Sequence, residues 1–519
     1  MSATEKLGFW NLAATHPQQT AVVDPEGKTV TFAELAALSN QVVHGLRRLG
    51  LQRGDTIALL ARNEIPTLAV TLAALQAGMY VTPVNWHLTA HEVAYVVDNC
   101  EARAFFASAS FADTALEAAV SLRYPAKARF GFGAVPGFRP FTELVATEPV
   151  TAPLDREAGE IMTYTAGTTG KPKGVKRSLK GQDPDDSGAA NGMFLMLFDI
   201  QPRDDNVHLV AAPLYHTAVM RFCLSSLNLG HTVVLMDKWT PEGCLEMIAR
   251  YRVTHSHMVP TMFHRMLQLP DDKRRAYDVS SLRNMIHSAA PCPVPTKKKM
   301  LEWWGPVIYE YYAATEGGGT LAKPDEWLRK PGTVGKPWPI SEVKIFDDEG
   351  NELPAGQVGT VYMSMMGIKF EYYRDREKTG SAWRGDFFTV GDAGYLDQDG
   401  YLFLCDRKAD MIISGGVNIY PAEIECEMVL HPQVADVAVF GIPHEEWGEE
   451  VKAVVELRAG AEPSEKLVED IKSFCAAKLA KYKIPRTVDF IDRLPREANG
   501  KLIKRKLRDP YWEGRDRAI

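Results

Sequence analysis

Apolar positions in the first half of the chain fall into two alternating rhythms, a spacing of three to four residues and short unbroken runs of four or five. Thr31 to Leu49 carries the helical spacing and opens on Thr-Phe-Ala-Glu, a capping-box pattern in which hydroxyl and carboxylate each satisfy a backbone N–H. The pattern then predicts a strand over Thr56 to Leu60, a helix over Pro66 to Met79, a buried strand over Tyr80 to Val84, a helix over His91 to Asn99 and a strand over Ala104 to Ala107. The same traffic returns in the strand Asn206 to Ala212, the helix Met220 to Asn228, the strand Thr232 to Met236, the helix Pro241 to Tyr251 and the strand Ser256 to Val259. Short apolar strands between amphipathic helices imply an α/β architecture with doubly wound parallel sheets covered on both faces.

The pattern changes after about Gly332. Short strands bounded by Gly and Asp turns, such as Val343 to Phe346 and Gly359 to Ser364, predict a β-rich subdomain that completes a large N-terminal domain. A new alternation follows: strand Met411 to Ser414, helix Pro421 to Leu430, strands Val434 to Gly441 and Glu450 to Leu457, helix Ser464 to Leu479, strand Thr487 to Phe490. The expected division is residues 1–405 as one domain, 406–410 as a hinge and 411–519 as a small, mobile α+β domain.

Composition narrows the classes. With 519 residues, 45% hydrophobic and 24% charged, the chain has the makeup of a globular protein of more than one domain. A net charge of −7 argues against a nucleic-acid binder. Seven scattered cysteines, none spaced Cys-x-x-Cys, signal neither a disulfide framework nor a zinc site, and fit a reducing cytoplasm. No run approaches the length of a spanning helix, so no integral membrane segment is expected. Gly-x-Ser-x-Gly and His-Glu-x-x-His are both missing, which removes the support for hydrolase chemistry.

The candidate chemistry begins with Thr163-Tyr-Thr-Ala-Gly-Thr-Thr-Gly-Lys-Pro-Lys-Gly-Val-Lys-Arg-Ser178. Glycines at 167, 170 and 174 free the backbone, threonine hydroxyls add donors and Lys171 and Lys173 add charge, a composition suited to phosphate and equally to an ordinary turn. It is not a Walker loop, because only two residues separate Gly167 from Gly170 and Pro172 follows the lysine. Other stretches carry chemistry-bearing residues: Pro213-Leu-Tyr-His216, Ser288-Ala-Ala-Pro291, Tyr311-Tyr-Ala-Ala-Thr-Glu316 in what reads as a strand-end loop, Thr389-Val-Gly-Asp392, Asp406-Arg-Lys-Ala-Asp410, Ser414-Gly-Gly-Val417 and Pro495-Arg-Glu-Ala-Asn-Gly-Lys501. Each alone reads as readily as a turn, a core tyrosine pair or a solvated lysine.

Together and in this order they resemble the adenylate-forming superfamily of acyl-CoA synthetases, aryl-CoA ligases, luciferases and peptide-synthetase adenylation domains. The resemblance runs from near Thr31 to Lys501. It implies that Thr165, Ala166, Gly167, Thr168, Thr169, Gly170, Lys171 and Lys173 surround the ATP phosphates, with Thr168 and Glu316 at magnesium. Ser288, Ala289 and Ala290 would line the purine and the acyl group, Tyr312 the adenine, and Asp392 with Arg407 the ribose. Thr315, Glu316 and Lys501 would be the catalytic set. His216, Met220, Ala313 and Gly317 would form the acyl pocket, with Met258 as a further candidate wall, and Gly415, Gly416, Lys481 and Lys483 would meet coenzyme A. Ala409 would be the hinge. Two positions depart from the family pattern: Ala313 stands where glycine is usual, and Ala409 where Asp or Lys is common.

The implied activity is a two-step ligase that converts an apolar acid, a fatty acid foremost, to an acyl-adenylate with Mg-ATP and then to a thioester with coenzyme A. Alternatives left open are an aryl or polycyclic acid-CoA ligase, an amide ligase or carrier-protein loader, and an inactive nucleotide-binding protein. The expected partners are the small-molecule acid, ATP and CoA, with no nucleic acid, and homodimerisation stays open.

Overall fold

The computed structural model describes residues 6–165, 172–202, 205–367, 369–496 and 502–513. Two sheets dominate the N-terminal part. In the nine-stranded one, Ile308–Ala314, Asn284–His287, His255–Met258, Val207–Val210, Thr232–Leu235 and Thr20–Val23 lie parallel in that spatial order. Antiparallel strands close both edges, Thr29–Thr31 at one and Gly317–Ala322 with Lys336–Pro337 at the other. The second sheet is six-stranded and wholly parallel, built around Ala102–Ser108, Thr56–Leu60 and Tyr80–Pro83.

Two helices join these sheets into one body. Phe32–Arg48 gives Phe32 and Leu35 to the core of the nine-stranded sheet and Val42, Val43 and Leu46 to that of the six-stranded one. Ile65–Gln76 is divided likewise, Leu68 and Leu72 against Val70 and Ala73. Burial on both sides explains why this second helix is apolar all round. The first begins as its sequence foretells: the Thr31 side chain accepts from Glu34 N–H while Glu34 accepts from Thr31 N–H at 2.8 Å. Thr31→Ala is expected to cost about 1 kcal/mol, read as a lower urea midpoint; an unchanged midpoint would show that packing alone sets the helix start.

Beyond residue 336 the β-rich part forms as expected, an antiparallel sheet centred on Gly359–Met365, Asp392–Leu396 and Leu402–Arg407. A 3-10 turn, Lys408–Asp410, then leads into a small C-terminal domain. There Gly448–Leu457 pairs with Val434–His444, Ile412–Ser414 and Thr487–Ile491. Helices Pro421–Met428 and Glu465–Ala476 pack on this sheet through Ile424, Met428, Leu467 and Ile471.

One expectation is corrected. Tyr311 to Glu316 is not a strand-end loop, because the strand runs Ile308–Ala314 and turns at once into Gly317–Ala322, with Ala314 opposite Gly317. Thr315 and Glu316 are the two residues of a tight hairpin turn. The return strand must be glycine-rich: a Cβ on Gly319 would stand 2.5 Å from Trp338 and 2.7 Å from the Tyr312 carbonyl. A salt bridge of 2.7 Å between the buried Lys297 and Glu310 ties the outgoing strand to helix Val294–Trp304.

Candidate active site

The hairpin turn opens onto a cavity of about 1290 Å³ that both domains line. Strand alternation sorts the side chains behind it. Tyr312 turns one way and donates its hydroxyl to Asp392 at 2.7 Å; burial and this carboxylate push its ionisation well up. Asp392 is held from across its strand pair by Arg407, Nε to Oδ1 3.5 Å. Tyr311 and Ala313 turn the other way, toward Phe194 and Trp338.

At the tip, the Thr315 hydroxyl lies 3.2 Å from that of Thr217 in the first turn of helix Thr217–Asn228, and the Thr315 carbonyl accepts from Arg177. Glu316 is buried, and its Oε1 accepts from the Tyr372 hydroxyl at 2.8 Å. Tyr372 belongs to a three-stranded antiparallel sheet with Thr163–Thr165 and Lys173–Lys176, so the strands that flank the glycine-threonine loop also hold this carboxylate. Ala166, Gly167, Thr168, Thr169, Gly170 and Lys171 lie outside the described residues; Thr165 lines the cavity.

Across the cavity His216 stands at the N-cap of its helix, its ring 4.2 Å from that of Tyr215. His216, Met220, Ala313 and Gly317 all line the cavity, as do Ser288 and Ala289. The Ser288 hydroxyl lies 2.8 Å from His257 Nε2, and burial pulls the ionisation of His257 down to about 3. Ala289 takes φ 74°, a left-handed conformation that a non-glycine residue holds only under strain, as happens at ligand-binding turns.

From the small domain, Arg496 and Ile503 reach the same cavity. They flank residues 497–501, which lie outside the described residues, and the two flanks are bridged, Ile503 N–H donating to the Pro495 carbonyl at 2.8 Å. Lys504–Glu425 at 2.9 Å and Arg496–Asp436 fasten these flanks. Lys501 lies outside the described residues.

Several expected site residues lie elsewhere. Lys173 points into a 2.6 Å salt bridge with Asp375, because its strand turns it away from the cavity. Met258 is wholly buried in the core, and Ala290 is not part of the lining. Gly415 and Gly416, with φ 58° and 78°, make the turn between Ile412–Ser414 and Val417–Ile419, and no part of this turn lines the cavity. Lys481 and Lys483 share a 3-10 turn apart from it, and Lys483 is held by Glu423. Ala409 lies in the 3-10 turn between the domains, its carbonyl accepting from Arg508 at 3.3 Å.

Four contributors were missed: Thr217, Arg177, Tyr372 and Arg221. Arg221 alone had a visible signal, a charge inside the apolar run Val219-Met-Arg-Phe-Cys-Leu224. Tyr372 lies 56 residues from Glu316 in a segment with no motif of its own.

Magnesium chemistry fits this donor set. The described residues hold no group of three or more His, Cys, Asp or Glu that could cage a metal. A carboxylate on a tight turn beside hydroxyls is what Mg²⁺ uses when substrate phosphates complete its shell.

Known proteins agree. The chain matches the AMP-binding enzyme family model over residues 9–373 and the AMP-binding enzyme C-terminal domain over 423–501. It is 31% identical to a fatty acid–[acyl-carrier-protein] ligase, ScoC, from Streptomyces coeruleorubidus, covering 96% of this chain and 95% of that protein. Identity is also 31% to the long-chain-fatty-acid–CoA ligase FadD13 of Mycobacterium tuberculosis, over 96% and 97%. The solved o-succinylbenzoate CoA synthetase of Bacillus subtilis, in complex with its acyl-adenylate intermediate, superposes with a TM-score of 0.79 at 28% identity over 97% and 98% of the two chains. With both family models matched in order and relatives of this identity spanning nearly the whole chain, this chain belongs to the AMP-binding enzyme family, among the acyl-CoA synthetases of the adenylate-forming superfamily.

Proposed function

We propose that this protein activates an apolar carboxylic acid, a fatty acid foremost, with Mg-ATP and passes the acyl group to coenzyme A. The observation that carries the reading is the meeting of Thr165, Arg177, His216 and Thr315 with Arg496 and Ile503 of the small domain at one cavity, with the Tyr312–Asp392 pair on the opposite face of the strand that bears Ala313. In the first step an acid oxygen attacks the α-phosphorus of ATP and pyrophosphate leaves. In the second the CoA thiol attacks the acyl carbon, loses its proton and expels AMP.

Each residue has a task. Tyr312 covers the adenine, and Asp392, steadied by Arg407, accepts the ribose hydroxyls. Thr165 and Thr315 donate to phosphate oxygens as charge gathers on them, and Lys501 adds a cation there. Arg177 fixes the turn by holding its carbonyl. Glu316 holds Mg²⁺, which when bound neutralises phosphate charge. Asp392→Asn is expected to raise the KM for ATP tenfold to a hundredfold, the value of one charge-assisted hydrogen bond, with little change in the KM for the acid. Equal rises in both would remove Asp392 from the ribose.

For the second step we infer a rotation of residues 411–519 about Ala409 within 406–410, the larger domain being 1–405. This motion brings the Gly415-Gly416 turn to the pantetheine arm, with Lys481 and Lys483 near the CoA phosphates. Free thiols at all seven cysteines support a cytoplasmic setting, and no described helix is long and apolar enough to cross a membrane.

Pyrophosphate release against a panel of acids, with and without CoA, tests the reading. Acid-dependent release that CoA accelerates is the expected result. Release indifferent to CoA would reassign the acceptor to a carrier protein or amine, and no release from any acid would sink the ligase.

A further inference from the structure

The cavity contains a cation that the reaction as proposed does not use. Arg221 stands five residues beyond His216 on helix Thr217–Asn228, and it lines the cavity together with Leu224 and Ser225, three and four residues further along the same face. Its guanidinium lies over the ring of Phe194, 4.2 Å from the centroid. Its Nε is shielded from solvent and has no hydrogen-bond partner among the described residues, nor does the group form an ion pair with any of them.

Burial lowers the ionisation of Arg221 to about 10, so it is charged at neutral pH. Glu160 attracts it only from beyond ion-pair distance, while burial pushes the Glu160 carboxyl up. The side chain is half-buried, its Nε shielded and its guanidinium stacked on Phe194, so within this cavity it is a cation that no described carboxylate neutralises.

The location says which part of the substrate it meets. Phe194, under the guanidinium, packs on Tyr311 and Trp338, on the face of the strand that also bears Ala313. Tyr312 and Asp392, on the nucleotide side, occupy the opposite face.

We infer that the acid this enzyme activates carries, beyond its apolar body, a second oxygen-bearing group, a carboxylate above all, which Arg221 receives. The planar guanidinium matches a carboxylate with two parallel hydrogen bonds and can also serve a ketone with one. This deepens the ligase reading and rests on it.

Matched acids of equal chain length, ending in methyl, ketone or carboxylate, provide the test. Wild-type enzyme should favour an oxygen-ended acid over the methyl-ended one at least tenfold in kcat/KM. Arg221→Met should bring that ratio toward one, mainly through a higher KM for the oxygen-ended acid, and Arg221→Lys should retain part of the preference for the carboxylate. Wild-type preference for the methyl-ended acid, or an Arg221→Met ratio equal to wild type, would overturn the inference and leave the ligase standing. Silence with every acid would remove the ligase and the inference together. If the Met variant misfolds, as a lowered thermal midpoint would reveal, the wild-type ranking and the Lys variant decide.

Discussion

Glu316→Gln is expected to cut acid-dependent pyrophosphate release by roughly a hundredfold or more, the loss seen when one preorganised electrostatic group leaves such a site. The substitution is nearly isosteric, and the amide oxygen can still accept from Tyr372 at the 2.8 Å now seen. What disappears is the charge. Because the hairpin turn fixes that carboxylate next to Thr315, no neighbouring side chain of the turn can take over. The variant should also need more magnesium for half-maximal rate. Tyr372→Phe, which keeps the charge and loses its orienting hydrogen bond, should lose about tenfold, near the value of one hydrogen bond. Normal release by Glu316→Gln, at wild-type magnesium demand, would show that the carboxylate serves only the hairpin.

Lys501→Ala is expected to reduce adenylation by a similar factor, roughly a hundredfold or more, while sparing thioester formation from supplied acyl-adenylate and CoA. The asymmetry follows from where the cation acts. Negative charge accumulates on phosphate oxygens when pyrophosphate leaves, whereas in the proposed rotation the second step uses a different face of the small domain. Arg496 and Ile503, which flank residues 497–501, already line the cavity, and the Lys504–Glu425 and Arg496–Asp436 pairs secure these flanks. Equal damage to both half-reactions would make Lys501 a general stabiliser of the closed arrangement rather than a group of the first step.

The parallel sheets were readable from sequence because strands buried on both faces leave short, nearly unbroken apolar runs, as Thr56–Leu60 and Thr232–Leu235 do. Helix starts were readable where chemistry marks them, Thr31 with Glu34 being one case. The Tyr311–Glu316 segment misled because two tyrosines, two alanines and a polar pair carry no period, and the hairpin is imposed by glycines that let Trp338 close over the return strand. Of the proposed site, local motifs pointed to Thr315 and His216, which line the cavity, and to Tyr312, Glu316 and Asp392, which do not. The groups that hold them were out of reach: Tyr372 and Thr217 act through contacts between segments distant in the chain. Lys173 shows the converse, a residue of the right type at the right spacing whose strand points it at Asp375.

The groups proposed to face ATP sit on paired strands, Tyr312, Thr315 and Glu316 on one hairpin and Asp392 opposite Arg407 on another, whereas much of what is proposed to face the acid hangs from helix Thr217–Asn228. Strand pairing locks the first set to one another, and a substitution at Met220, Arg221 or Leu224 changes the shape and charge of the second without disturbing that register. On the proposed assignment, new acids can be reached by editing a few positions of one helix, with the ATP-facing strands left unchanged.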